Sequence, residues 1–65
     1  MKYEVQIANR EQLRTGEHGF SMLKMTDDLD RAFKSFNKTK DGEYSEKLVV
    51  RIINADNGLV IIESK

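Results

Sequence analysis

Apolar and polar residues alternate at the start of the chain, where Tyr3, Val5 and Ile7 are interleaved with Lys2, Glu4 and Gln6. Successive strand side chains point to opposite faces, so this pattern predicts a strand with one dry and one wet face. The alternation weakens through Asn9, Glu11 and Leu13 and gives way to Thr15-Gly16-Glu17-His18-Gly19. Two glycines there suit a turn that needs positive φ. Phe20 to Met25 is then apolar enough to return as a second strand.

The period changes next. Leu29, Ala32, Phe33 and Phe36 fall at i, i+3, i+4 and i+7, which puts them on one face of a helix. Thr26 is an N-cap candidate, because its hydroxyl can accept from an orphan backbone N–H. Asp27, Asp28 and Asp30 suit the positive end of the helix dipole, and Lys34 and Lys38 lie toward the negative end. Met22 and Met25 extend the same stripe backwards, and Ser21 could cap a longer helix with Phe20 as its staple.

Beyond the polar stretch 37–47, Leu48 to Ile53 and Leu59 to Ile62 are rich in β-branched residues and read as strands. Asn57-Gly58 between them marks a hairpin, since both residues tolerate positive φ. The expectation is an α+β fold: a four-stranded antiparallel sheet packed on one helix, ordered ββαββ, or βαββ if the helix starts near Ser21. Residues 1–65 make one compact domain without repeats, linkers or low-complexity tracts.

Composition narrows the function classes. The apolar content of 38% is modest but gathered in periodic segments, which argues against disorder. With no Cys, neither a disulfide nor a thiolate metal site can reinforce the core. Eleven basic and eleven acidic residues cancel, whereas a protein holding nucleic acid by neutralising phosphates carries a positive balance. The longest apolar runs are far too short to cross a membrane, and the start of the chain has no signal-peptide core. A cytoplasmic protein without cofactor or metal, and not an enzyme, is expected.

One motif invites a metal. Residues 32–42 resemble the end of an EF-hand's first helix entering its loop, with Gly42 at loop position six. Calcium needs several hard oxygen ligands, including a bidentate Glu at position twelve. That position is Leu48, positions one and three are Asn37 and Thr39, and only Asp41 offers a charged ligand among the usual side-chain positions. A polar helix-to-strand loop is the better reading. His18, the only histidine, sits between Glu17 and Gly19 with no nucleophile or metal partner in its pattern, and reads as a solvated turn residue.

Two surfaces are candidates for partner binding. Arg31, Lys34 and Lys38 lie on the helix face opposite Leu29 and Phe33, with Lys24 and Lys40 as potential extensions. The plainer reading is a solvated face stitched by Asp27–Arg31 and Asp30–Lys34 pairs at i, i+4. The other surface is the second face of the sheet. One helix covers one face, so Val49, Ile53, Val60 and Ile62 are expected to remain for a partner or a second copy of the chain. A strongly coiled sheet folding over itself is the competing reading.

The chain also resembles small phage-encoded anti-CRISPR proteins, the inhibitors of type I interference complexes built from strands around one helix. The resemblance rests on Met1-Lys2 followed by Glu4-Val5-Gln6, Gly19 before the second strand, and the hydroxyl-capped helix at Thr26 with Arg31 in its second turn. Arg51-Ile52 and the Asn57-Gly58-Leu59 hairpin complete it, and the hairpin is also similar to one in a type II inhibitor. It implies a non-enzymatic inhibitor whose basic helix residues contact a subunit of a CRISPR surveillance or effector complex, with Arg31 in that role. The neighbouring position is Ala32 and not a second basic residue. A homodimeric nucleic-acid-binding module or a structural interaction module is the alternative.

Overall fold

A computed structural model describes residues 1–42 and 46–64. Its elements are β1 (Tyr3–Asn9), α1 (Arg10–Thr15), β2 (Ser21–Thr26), α2 (Leu29–Lys40), β3 (Leu48–Asn54) and β4 (Val60–Glu63). The four strands form one antiparallel sheet in the order β2-β1-β3-β4, and α2 packs on one face of it. The expected α+β architecture is therefore present. The βαββ variant is not, because Ser21–Thr26 pairs with β1 as a strand.

The register explains the core. Val5 is opposite Ile52 and Ile7 opposite Val50, so the apolar set of β1 meets the apolar set of β3 on one face. Val5, Val50 and Ile52 are fully buried there with Ala32 and Phe36 of α2. Tyr3, Ile7, Leu29, Phe33 and Ile62 pack around them. The period-2 stripe of β1 and the period-3.6 stripe of α2 thus both face the core.

Three local structures differ from the sequence reading. Residues 10–15 are helical, where weak alternation had pointed to strand. The Asn9 side chain accepts from the Gln12 backbone N–H at 3.1 Å, capping the first turn. Gly16 closes the helix at φ 77°, its N–H bonding to the last turn. Of the two glycines expected at positive φ, only Gly16 adopts it. Glu11 and Arg14 pair along this short helix, and the carboxylate raises the guanidinium pKa.

The second difference is the cap of α2. Thr26 is still in β2, opposite Tyr3, and Asp28 caps instead, accepting from the Asp30 and Arg31 N–H groups at 2.9 and 3.4 Å. Thr26 keeps a related role, its hydroxyl accepting from the Asp28 N–H at 3.1 Å.

The third lies in the final hairpin, where only Gly58 has positive φ (75°). Asn54 and Asn57 stabilise the loop through their side chains, accepting from the Asp56 and Leu59 N–H groups at 2.9 Å each. Asn37 and Thr39, loop positions one and three of the EF-hand-like segment, lie inside α2, and Leu48 opens β3. Residues 43–45 of that segment fall outside the described residues.

Candidate functional site

Lys24, Arg31, Lys34, Ser35 and Lys38 line a shallow groove of about 420 Å³ between β2 and α2. Strand register accounts for Lys24, which is opposite Val5 and so belongs to the face that α2 covers. Helical spacing supplies the rest, since positions 31, 34, 35 and 38 recur on one stripe. Three of the expected helix residues are therefore brought together, and Lys24 joins them. Lys40 does not. It lies 6.0 Å above the Phe36 ring and lines a separate cavity with Arg10 and Thr39.

Few carboxylates answer these cations. Arg31 approaches Asp28 at 3.8 Å, and neither the Asp27–Arg31 nor the Asp30–Lys34 pair forms among the described residues. Asp27 precedes the helix, so the i, i+4 geometry assumed for it does not exist. The Arg31 side chain is 74% exposed, and such a surface pair contributes little and screens with salt. The groove is a locally positive concavity on a chain of zero formal charge.

The second sheet face is composed differently from the sequence expectation. Val60 is 46% exposed and Ile53 half-buried, and the two are strand partners on the open face. Ile62 is turned to the other face, because a register shift between Ile52 and Ile53 puts it opposite Ile52 and into the core periphery. Val49 points to the open side but is buried at its end, opposite Ala8. Simple alternation along Leu59–Ile62 could not show the shift, which skips a residue and resets the faces.

Two residues that alternation missed are about as exposed as Val60 or more so. Met22 and Met25, at 56% and 45% exposure, lie opposite Gln6 and Glu4 on the same open face. Arg51 stands near the middle of that face. Its Nε donates to Gln6 Oε1 at 2.8 Å, and its guanidinium stacks 3.7 Å from the centre of the Phe20 ring. The Gln6–Arg51 pairing follows from register alone. Phe20 precedes β2, and no short-range pattern links it to Arg51.

His18 is exposed beside Gln12 and Phe20 at a cavity of about 300 Å³. Among the described residues no three His, Cys, Asp or Glu side chains cluster as metal ligands do, and no helix is long and apolar enough to cross a membrane. The chain matches no protein-family model, and no curated protein or solved structure is significantly similar to it.

Proposed function

We propose that the chain is a non-enzymatic binding module that docks on an acidic protein surface through Lys24, Arg31, Lys34 and Lys38. The observation that supports this reading is the groove itself, in which four cations from two elements converge with one carboxylate in contact. Convergent charges of one sign steer association and favour partners of the opposite sign. The resemblance to anti-CRISPR proteins extends the reading to an inhibitor, carried by a phage or other mobile element, that blocks a host defence nuclease complex.

Charge reversal tests both levels. Arg31→Glu with Lys34→Glu removes the positive groove while leaving α2 folded, since both side chains are exposed. In cells carrying a type I interference system, the wild-type chain restores plaque formation by a targeted phage and the double variant does not. Equal protection of the phage by both proteins refutes the groove as the docking site.

A nucleic-acid-binding reading draws on the same four cations. It is distinguished by salt: four phosphate contacts give a slope of log K against log salt of about −3 to −4. Anisotropy of a labelled duplex titrated at rising salt reads this directly. No saturable duplex binding at low salt is the outcome expected for a protein-docking groove.

A further inference from the structure

The open face of the sheet, on the side away from α2, holds Glu4 on β1, Arg51 on β3 and Glu63 on β4. Glu4 is half-buried, and its neighbours on both adjacent strands are apolar, Met25 on β2 and Ile53 on β3. It forms no ion pair among the described residues. Arg51 lies one strand over, fixed by Gln6 and stacked on Phe20; Glu63 is its exposed strand partner on β4, but among the described residues the two form no ion pair. A carboxylate set between apolar strand neighbours, with no cation in contact, is open to a complementary charge from outside the chain.

We infer that this face is the interface of a homodimer in which Arg51 of each copy pairs with Glu4 of the other. Complementarity of charge identifies the occupant as a second copy. An isologous interface requires a patch that complements itself, so residue i meets j and j meets i. A two-fold axis lying in the face midway between Glu4 and Arg51 exchanges the two and forms both pairs at once. The same operation sets the exposed apolar residues Met22, Met25 and Val60 of one copy against the face of the other. Polar groups inside a rim that excludes water is the arrangement in which a charge pair contributes most. Stacking on Phe20 and the bond to Gln6 hold the guanidinium in place beforehand, which lowers the entropy lost on association.

Pairing at the sheet edges is disfavoured by comparison. The β2 edge carries Lys24 in its middle and a register shift against β1, and two copies joined there would bring like charges together. The β4 edge is four residues long and also follows a register shift. Stacking the open faces needs neither edge.

Sedimentation equilibrium of the full chain, from micromolar to millimolar concentration, tests the dimer. The wild type is expected to approach twice the monomer mass as concentration rises, and the exposed-rim variants Met25→Lys and Val60→Lys to stay monomeric with unchanged circular dichroism. The charge pair is tested by mixing. Arg51→Glu and Glu4→Lys each bring like charges together in a self-dimer, so each alone is expected to be monomeric. An equimolar mixture restores both opposite pairs and is expected to recover the dimer mass. An intrachain role for either residue gives no recovery on mixing. A wild type that remains monomeric throughout, or a mixture that does not associate, overturns the proposal. The groove variant Arg31→Glu/Lys34→Glu is expected to dimerise normally, which separates this interface from the docking groove.

Discussion

The two faces of the sheet are built from the same four strands and differ in almost every other respect. On the side of α2, Val5 and Ile52 are opposite one another and fully buried, with Ala32 and Phe36 filling the space above them. One residue along each strand, Glu4 and Ile53 are opposite one another on the other side, flanked by exposed Met25 and Val60. The first face has an apolar partner within the chain and is a core. The second mixes methionines, β-branched residues and a fixed arginine, a composition characteristic of the centre of an interface. The main core is therefore concentrated on one side of the sheet, and the other side keeps large apolar residues exposed.

That contrast can be broken most directly at Phe36. Phe36→Ala is expected to cost about 3–5 kcal/mol, the usual range for truncating a buried Phe. This is a large part of the total stability of so small a domain. Phe33 is only half-buried, so Phe33→Ala is expected to cost about 1–2 kcal/mol. Urea midpoints for the two variants, measured in parallel, check the order. A larger loss at Phe33 would mean that the helix is rotated from the position described.

A smaller effect is expected at the start of α2. Asp28→Ala removes the side chain that caps the helix and is expected to cost about 1 kcal/mol. Asp27→Ala, one residue earlier, forms no cap and is expected to shift the midpoint far less. Equal losses at the two positions would argue that general charge near the dipole, and not the hydrogen bonds of Asp28, fixes the helix start.

The smallest effect belongs to the open face. In protein dilute enough to be monomeric, Met25→Lys is expected to change stability by less than about 0.5 kcal/mol. Unfolding followed at low and at high concentration sharpens the comparison. The variant should match the wild type when dilute and fall below it when concentrated, because association stabilises only the folded dimer.

The sequence made some of this legible and hid the rest for identifiable reasons. Patterns that depend on one element were readable: the alternation of Tyr3, Val5 and Ile7, and the helical stripe from Leu29 to Phe36, both occupy the core as expected. The short helix α1 was also encoded, by Asn9 and Gln12 at capping spacing and by Gly16 beyond, but the alternation running into it masked those signals. Features that depend on two elements were at most partly readable. Lys24 and Lys40 were equal candidates to extend the helix cations, and only the pairing of β2 with β1 selects Lys24, while Ile62 changes face through the register shift in the hairpin. Arg51 needed three separate segments to acquire Gln6 and Phe20 as partners.

The place of β1 inside the sheet also governs how the chain acquires its structure in time. β1 is flanked by β2 and β3, and its contact to β3 joins Gln6 to Arg51 across 45 positions. Closing so long a loop costs entropy before the pairing returns any energy, which places this step late and makes it slow. At the pace of synthesis, roughly 5–20 residues each second, β1 leaves the ribosome about 2–9 s before β3 follows. Throughout that interval Val5 and Ile7 have only the β2 side of their sheet and an incompletely seated helix to cover them. The nascent chain is then vulnerable to mispairing at a strand that later lies inside the sheet.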